Sequence, residues 1–279
     1  MNYSINCQGK LFDLSSPKVM GILNLTPDSF YEESRNLDLK TAILKAEQMI
    51  DEGVDILDVG AMSTRPGIEE LSLEEEKNRL IKPLQTLRKM FPQVLFSVDT
   101  YRAEIAEMAV DCGVDIVNDI SGGDFDERMF ETIARLKVPY ILMHTSDKPQ
   151  FMQEKTHYDN ILTEINLGFG RKIKKLYSLG AKDVILDPGF GFGKTTDQNY
   201  FLLKNLTFFS ELNCPILVGL SRKSMIYKYL ETTPQESLTG TIVLNTIALQ
   251  NGASILRVHD VKEAKQAIEL FLKTEKTSF

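Results

Sequence analysis

The sequence predicts an α/β protein that folds as a single-domain (β/α)8 TIM barrel over residues 1–279. Short apolar, β-branched runs recur along the chain, and segments of helical period separate them, which is typical of repeated βα units around a parallel sheet. Eight such runs account for nearly the whole chain, and no Pro-, Gly- or Ser-rich linker interrupts them. A closed barrel is therefore favoured, and an open doubly wound sheet is the alternative.

The eight predicted strands share apolar, β-branched composition, and each precedes a segment that can form a helix. They lie near Val19–Leu25, Ile56–Gly60, Leu95–Asp99, Ile116–Asp119, Tyr140–His144, Val184–Asp187, Ile216–Gly219 and Ile255–Val258. Predicted helices include Leu39–Glu52, Arg102–Cys112, Asn160–Leu179 and Val261–Lys273. Gly113 and Gly180 stand between a helix and the next strand, where a left-handed residue ends the helix.

Composition excludes several classes of function. The net charge is −7, whereas binding to nucleic acid or to an anionic membrane needs a broad excess of Lys and Arg. Met1–Lys10 lacks the pattern of a secretion signal, and no apolar stretch reaches the ~18 residues that span a bilayer. Cys7, Cys112 and Cys214 fit neither a disulfide framework nor a metal motif. We expect a cytoplasmic protein with reduced thiols, no membrane segment and no nucleic-acid partner.

Polar residues end almost every predicted strand. In such a barrel the active site lies at the carboxyl ends of the strands, so these residues are candidates for one shared pocket. They are Asn24, Asp58, Asp99, Asn118, Asp119, His144, Asp187, Ser221, Arg222, Lys223, Arg257 and His259. Any one of them could instead cap a helix or favour a turn. For the whole set, convergence on one pocket is the better explanation.

The chemistry of this set indicates a heterocyclic substrate that carries an anionic leaving group. Asp99, Asp187 and Asn118 can pair with the N–H groups of a planar heterocycle. The basic residues, which suit phosphate or pyrophosphate, are Arg65, Lys223, Arg257 and His259. With three histidines and no Cys/His cluster, a zinc site is not expected. Mg2+ needs little more than Asn24 and the oxygens of substrate phosphates.

Three further sequence patterns suggest a function at first sight, but we assign none to them. Gly189–Thr195 looks like a phosphate loop, but the spacing requires a glycine where Pro188 stands. Ser221 and His259 could be a nucleophile and its base, yet no G-x-S-x-G elbow surrounds the serine. The acidic run Glu74–Glu76 opens a predicted helix, where carboxylates favour the helix dipole. We interpret that run as solvated.

Taken in order, eight segments resemble the dihydropteroate synthases along nearly the full chain. They are Gly21–Phe30, Asp58–Gly67, Ser97–Thr100, Asn118–Gly123, Leu142–His144, Asp187–Lys194, Gly219–Ser224 and Arg257–Asp260. Each alone is a weak signal, but eight in the right order are specific. The resemblance implies an Mg2+-dependent transferase of folate biosynthesis that condenses 6-hydroxymethyl-7,8-dihydropterin pyrophosphate with 4-aminobenzoate, giving 7,8-dihydropteroate and pyrophosphate. It also implies a homodimer and a target of sulfonamides.

The resemblance implies roles for individual positions. The implied catalytic residues are Asp99, Lys223 and Arg65. The implied pterin site comprises Asp99, Asn118, Met143, Asp187, Phe192, Gly219 and Lys223. The pyrophosphate site would comprise Asn24, Arg65, Arg257 and His259, and Asn24 would also be the Mg2+ ligand. The residues implied to contact 4-aminobenzoate are Thr64, Pro66 and Ser224.

The sequence departs from the family pattern in two loops. Phe30–Arg35 replaces a Ser-Asp-Gly-Gly-like stretch, and Ala61–Met62 replaces Gly-Glu, but neither change removes a residue assigned to chemistry. The alternative enzyme is a corrinoid-dependent methyltransferase that uses a methylated folate. The alternative from another class is a catalytically silent pterin-binding or regulatory protein. The motifs at Ser63–Gly67 and Ser221–Ser224 favour the synthase.

Overall fold

Eight parallel strands form a barrel, and a short antiparallel hairpin precedes it. The computed structural model describes residues 3–25, 32–61 and 71–277, with side chains described from residue 39 onward in the first helix. The hairpin strands are β1 (Ser4–Cys7) and β2 (Lys10–Asp13). The barrel strands are β3 (Lys18–Asn24), β4 (Ile56–Gly60), β5 (Leu95–Asp99), β6 (Ile116–Asp119), β7 (Tyr140–Met143), β8 (Val184–Asp187), β9 (Leu217–Val218) and β10 (Ile255–Val258).

Helices follow the barrel strands and cover the outside of the sheet. The α-helices are α1 (Glu32–Asp51), α2 (Leu73–Met90), α3 (Ala103–Asp111), α4 (Met129–Leu136), α5 (Ile161–Leu179), α6 (Thr196–Lys204), α7 (Ser224–Tyr227), α8 (Leu238–Gln250) and α9 (Val261–Lys276). Thr195 and Gln198 form a capping box at the start of α6, which satisfies backbone N–H groups that lack a partner within the helix. Gly113 and Gly180 have φ of +94° and +101°, as predicted for residues that follow helices.

The barrel closes between β8 and β9. Neighbouring strands run in the order β8-β7-β6-β5-β4-β3-β10-β9. The two outer members meet at a parallel bridge between Leu186 and Ile216, where the Leu186 N–H donates to Pro215 O at 2.9 Å. The predicted (β/α)8 barrel is confirmed, and the open-sheet alternative is wrong. The strand bounds agree with the sequence analysis to within one residue at each end.

Side chains of the barrel strands alternate between two environments, because successive residues of a strand point to opposite faces. Outward residues such as Val19, Leu57 and Phe96 pack with the helices in the main core. The inward residues near the amino-terminal ends form a separate apolar layer, namely Met20, Ile56, Ile116, Ile141, Ile185, Leu217 and Ile255. The base of the barrel is therefore filled with hydrocarbon, as in other barrels of this class.

The N-terminal hairpin closes the base of the barrel and was not predicted from the sequence. Ile5, Cys7 and Leu14 are buried in the same cluster as the inward apolar layer. Leu11, on the outer side of the hairpin, is 77% exposed. Strands as short as Ser4–Cys7 leave a weak pattern, and their apolar side chains become buried only against a barrel that already exists. The hairpin thus seals the end opposite the carboxyl ends of the strands.

The acidic run at the start of α2 is not solvated throughout. Glu76 is completely buried, and it accepts hydrogen bonds from Arg102 Nη1 and Thr100 Oγ1 at 2.5 and 2.7 Å. Arg102 also donates to Leu71 O at 2.6 Å. The interpretation of Glu74–Glu76 as a solvated turn is therefore wrong for Glu76. This carboxylate joins the start of α2 to the residues that follow β5.

The cysteines are free thiols, as predicted. Cys7 and Cys214 are buried, and Cys112 is partly exposed. Burial raises the pKa of the Cys7 thiol to about 12, so this thiol is protonated at neutral pH and packs as an apolar group. Within the described residues, no helix has the length and apolar character needed to cross a membrane.

We expect Ile5→Ala to lower the free energy of unfolding by about 2–5 kcal/mol, because the truncation leaves a cavity at the base of the barrel. The measurement is urea unfolding, followed as the midpoint at constant m-value. Leu11→Ala is the matched control on the same hairpin at an exposed position, and it should change the free energy by less than about 0.5 kcal/mol. Equal losses in the two variants would contradict the role of the hairpin as a plug.

Candidate active site

A polar layer lies directly above the apolar base of the barrel. Asp58, Asn118, Asp187 and Arg257 each follow an inward isoleucine by two residues, so the alternation along the strand points them to the same inner face. Each lies at or near the carboxyl end of its strand. Because the strands are parallel, these ends meet at one mouth of the barrel. The structure therefore confirms that these strand-end polar residues converge.

Arg257 joins two carboxylates across this layer. Its Nε lies 2.7 Å from Asp58 Oδ2, and its Nη2 lies 2.7 Å from Asp99 Oδ2. Asn118 Nδ2 donates to the same Asp58 oxygen at 3.0 Å. Burial acts to lower the pKa of Arg257, but the two carboxylates hold that pKa above its ordinary value. The guanidinium stays charged and compensates acids that could not otherwise be buried as anions.

The charge of Asp99 is set by opposing effects. Burial raises the pKa of its carboxyl to about 7, Arg257 opposes the rise, and the neighbouring charge of Asp58 adds to it. Gly60 lies beside Asp99 in the register of the sheet, and an added Cβ there would approach Asp99 Cβ to 3.2 Å. Near neutral pH the ligand-free carboxyl is therefore close to the balance between its neutral and charged forms.

Lys223 and Asp187 form the second charged part of the pocket. Lys223 Nζ donates to Phe190 O and lies 4.8 Å from the centroid of the Phe192 ring. Burial lowers the pKa of Lys223 to about 8, and Asp187 opposes this effect. Burial likewise raises the pKa of Asp187 against the opposing charge of Lys223. The N–H of Gly189 donates to Asp187 Oδ1 at 2.8 Å and fixes the carboxylate.

An apolar wall stands beside these charges. Met143 and Phe192, both predicted for the pterin site, pack with Tyr101, Ile120 and Phe125. The rings of Tyr101 and Phe125 meet edge to face, with centroids 5.5 Å apart. These last three residues were not predicted from the sequence, although Ile120 directly follows the strand end Asp119 and Tyr101 stands two residues after Asp99. A wall of this kind suits the flat face of a planar ligand.

Gly219 lies between the two charged parts of the pocket. An added Cβ at this position would lie 3.9 Å from both Lys223 Nζ and Arg257 Cβ. The hydrogen in its place leaves room for a ligand to approach the backbone of β9. This geometry agrees with the role predicted for Gly219, which stays a prediction.

Three further predicted residues lie at the rim of the barrel. Asn24 is exposed at the end of β3, and its Oδ1 lies 3.7 Å from the position that a Cβ of Gly60 would take. His259 is exposed just after β10, and Ser224 is the first residue of α7. These residues border the mouth rather than its buried floor.

Part of the Ser221–Ser224 motif is structural. Arg222 forms an ion pair with Asp260 through Nε and Nη2, at 3.0 and 2.7 Å. The buried Ser221 Oγ lies 3.0 Å from His259 Nδ1 and accepts the His259 N–H at 3.2 Å. These contacts tie the loop after β9 to the loop after β10, and so fix the position from which Lys223 enters the pocket.

Several predicted residues lie outside the described part of the chain. Thr64, Arg65 and Pro66 are among them, so their roles stay predictions, and Met62 lies there as well. Helix α1 begins at Glu32, so the backbone of most of the unusual Phe30–Arg35 segment is helical.

Asp58 is a functional candidate that was not assigned to any of the predicted binding sites. The sequence shows it as a polar residue of a predicted strand, but the family resemblance implies no substrate contact for it. The structure buries it completely and places it against both Arg257 and Asn118. The inward alternation after Ile56 is the signal that could have placed it in the site.

The fold is shared with solved structures. The dihydropteroate synthase of Yersinia pestis in complex with a sulfonamide drug superposes with a TM-score of 0.92 and 37% identity, covering 99% of this chain and 100% of that one. The Xanthomonas albilineans dihydropteroate synthase with 4-aminobenzoic acid has a TM-score of 0.91 and 32% identity, with each chain covered completely.

Sequence comparison leads to the same group of proteins. Residues 20–259 match the family model described as pterin binding enzyme, so the chain is a pterin-binding barrel enzyme by class. The dihydropteroate synthase of Escherichia coli K12 is 43% identical over 265 residues, covering 94% of this chain and 93% of the relative. That of Synechocystis is 43% identical over 251 residues, covering 89% and 86%. The chain belongs to the dihydropteroate synthases, which are transferases.

Titration of Asp99 should appear in the stability of the ligand-free protein. Its pKa rises from 3.8 to about 7 on folding, so within that window the folded state binds more protons than the unfolded chain. The free energy of unfolding should therefore fall as the pH rises through the window. Urea unfolding at several pH values should show a shallower fall in Asp99→Asn. Asp111→Asn, on the exposed side of α3, should keep the wild-type slope, and the same slope in Asp99→Asn would refute the assignment.

Proposed function

We propose that this chain joins 6-hydroxymethyl-7,8-dihydropterin pyrophosphate to 4-aminobenzoate and releases 7,8-dihydropteroate and pyrophosphate in folate biosynthesis. The observation that carries the proposal is the placement of Asp187 and Lys223 at the pocket beside the aromatic wall, in a barrel that matches dihydropteroate synthases over its full length. The free thiols suit a reducing compartment, and we place the activity in the cytoplasm.

The pocket offers a pterin both an edge and a face. The Asp187 carboxylate can accept a pair of hydrogen bonds from an amidine-like edge, and Lys223 can donate to ring acceptors. The bond from Asn118 to Asp58 fixes the rotation of the Asn118 amide, so this group meets a ligand in one orientation. Met143 and Phe192 then supply apolar contact to the ring face.

The charges of the pocket match the charge that develops during the reaction. Cleavage of the bond between the methylene carbon and the pyrophosphate oxygen leaves positive charge on the pterin, which Asp99 and Asp187 stabilise at short range. The 4-aminobenzoate nitrogen then forms the new bond to that carbon and loses its proton to solvent. No general base is needed, since an aromatic amine is neutral at pH 7. Holding both partners in place supplies the remaining acceleration.

Pyrophosphate needs a cationic site at the mouth of the barrel. The Arg257 guanidinium directs Nε and Nη2 to carboxylates, and a guanidinium has five N–H donors, so others can serve an anion. We assign pyrophosphate to Arg257, Arg65 and His259 on this basis and on the family motifs. By the same motifs, 4-aminobenzoate is assigned to Thr64, Pro66 and Ser224.

Mg2+ is the proposed cofactor, with Asn24 as its protein ligand. Mg2+ is usually held by few protein oxygens, with water and substrate phosphate completing its shell. The exposed Asn24 amide at the end of β3 offers such an oxygen on the side of the pocket next to Asp99. When bound there, Mg2+ would neutralise part of the negative charge of the leaving pyrophosphate.

Purified protein with both substrates and Mg2+ should release pyrophosphate and dihydropteroate in equal amounts, and chelation of the metal should stop both. Asp187→Asn and Lys223→Ala should each lower kcat/KM for the pterin substrate about 100-fold. Each change removes a charged group that hydrogen-bonds the pterin, and it leaves the charge of the remaining residue uncompensated. Asp111→Asn should retain wild-type rates. Pterin binding without product in the presence of metal would reject the synthase and favour the methyltransferase or the silent binder.

We infer that the chain forms a homodimer through the outer face of α6, α7 and α8. Phe201, Tyr229, Leu230 and Val243 expose large apolar side chains on or next to these helices. Tyr229 packs against Tyr200 of α6, so the exposed residues belong to adjoining elements. Contiguous apolar surface of this kind marks protein–protein interfaces, and a second copy would cover it by two-fold symmetry.

Light scattering after gel filtration should give a mass of about twice 31.6 kDa for the wild type. Val243→Glu should shift the mass toward the monomer, because a charge would be buried without a partner at the interface. Leu11→Glu places the same charge on an exposed leucine of the hairpin at the base of the barrel and should leave the dimer intact. A monomeric wild type, or equal dissociation in both variants, would reject this face as the interface.

A further inference from the structure

The segment between β8 and α6 forms one side of the pocket, and its backbone is held against the end of β7. It runs from Pro188 to Thr195 and carries the Phe192 ring. Gly189 has a φ of +70°, and a Cβ there would lie 1.9 Å from His144 O, so glycine is required for this close approach. The position of Phe192 in the apolar wall thus depends on how this segment packs against the loop after β7.

The carbonyl groups of this segment are held by side chains from several elements. Lys194 Nζ donates to Gly189 O at 3.0 Å and to Phe192 O at 2.9 Å. Gln153 Nε2 donates to Gly191 O and Tyr158 OH to Gly193 O, each at 3.1 Å. Phe190 O accepts from Lys223. Lys194 therefore spans the segment from within, since it bridges the carbonyls of its first glycine and of its pocket-lining phenylalanine.

The ammonium of Lys194 is nearly enclosed, with the residue only 4% exposed. It also lies 3.0 Å from His144 Nδ1 and 3.4 Å from His144 O. An ammonium has three N–H donors and no acceptor, so this bond requires a neutral imidazole with its lone pair on Nδ1. Burial lowers the pKa of His144 well below its ordinary value, and the charge of Lys194 adds to this effect. His144 is thus the acceptor of this bond whenever Lys194 is protonated.

Enclosing an ammonium costs free energy even when its donors are satisfied. Burial lowers the pKa of Lys194 to about 7, with Asp187 opposing the shift and Lys223 adding to it. An apolar side chain would fill the same space without this cost. The bonds to Gly189 O, Phe192 O and His144 are what the ammonium provides, and they tie the wall of the pocket to the end of β7.

We infer that Lys194, with His144 as its fixed acceptor, is a positioning residue of the pterin site. The pair holds Phe192 at the face of the ligand and keeps the Phe190 carbonyl where Lys223 meets it. Neither Lys194 nor His144 needs to touch the substrate. The inference rests on the proposed function only for the identity of the ligand.

The first test compares Lys194→Met with the wild type, because methionine keeps much of the side-chain length and removes all three donors. The dissociation constant for 6-hydroxymethylpterin, measured by calorimetry, should rise about tenfold or more, as expected for lost buried hydrogen bonds. The KM for 4-aminobenzoate should change by less than about twofold, because Lys194 bonds to Gly189, Phe192 and His144, none of which is assigned to 4-aminobenzoate. Lys182→Met, an exposed lysine at the base of the barrel, should leave both constants unchanged.

The second test addresses the acceptor. His144→Gln keeps an oxygen that can accept from Lys194, whereas His144→Leu removes it, so pterin affinity should be retained by the first and lost by the second. A purely structural role would lower the melting temperature of Lys194→Met and His144→Leu while leaving the pterin dissociation constant unchanged, and that result would overturn the inference. Because the readout is binding, a wild type that binds the pterin but forms no dihydropteroate would reject the proposed function and not this role.

Discussion

The interaction on which the pocket depends is the bridge from Arg257 to Asp58 and Asp99. These residues come from β10, β4 and β5, and the two ion pairs join positions 199 and 158 residues apart. Carboxylates inside a barrel are costly unless an opposite charge compensates them. The guanidinium lets both acids face the pocket, and it sets the balance of charge that leaves Asp99 close to titration near neutral pH. The roles proposed for these residues, stabilising a cationic pterin and binding its anionic leaving group, both build on this arrangement.

The inside of the barrel is organised in levels along its axis. The hairpin and the inward isoleucines fill the base, the charged residues form the next level, and the aromatic wall and rim residues surround the mouth. This order follows from strand alternation, since an inward apolar residue is followed two positions later by an inward polar one. The apolar base excludes water beneath the charges, which strengthens every electrostatic interaction above it. Burial therefore raises the pKa values of Asp99 and Asp187 and lowers that of Lys223, so each group keeps its charge only where an opposite charge lies nearby.

Much of the candidate site could be predicted from the sequence, because its charged residues end the strands. Asp187, Asn118 and Lys223 were found in that way, and the structure brings them to one mouth. Asp58 was recognised as a polar strand residue but was not assigned to a binding site, because its partners are the side chains of Asn118 and Arg257. The network around Lys194 was missed for a similar reason: its contacts are backbone carbonyls, which leave no trace in residue identity. Glu76 was misread because an acidic first turn looks the same whether it is solvated or buried.

By itself, the sequence determined the eight βα units and the set of charged groups that share the mouth. These properties are local, since period and strand ends follow from neighbouring residues. Only the tertiary structure decided the closure of the barrel at Leu186 and Ile216, the plug formed by the hairpin, and the pairing of Arg257 with two acids. Each of these joins segments far apart in the chain, and burial and electrostatic coupling exist only once such segments are in contact.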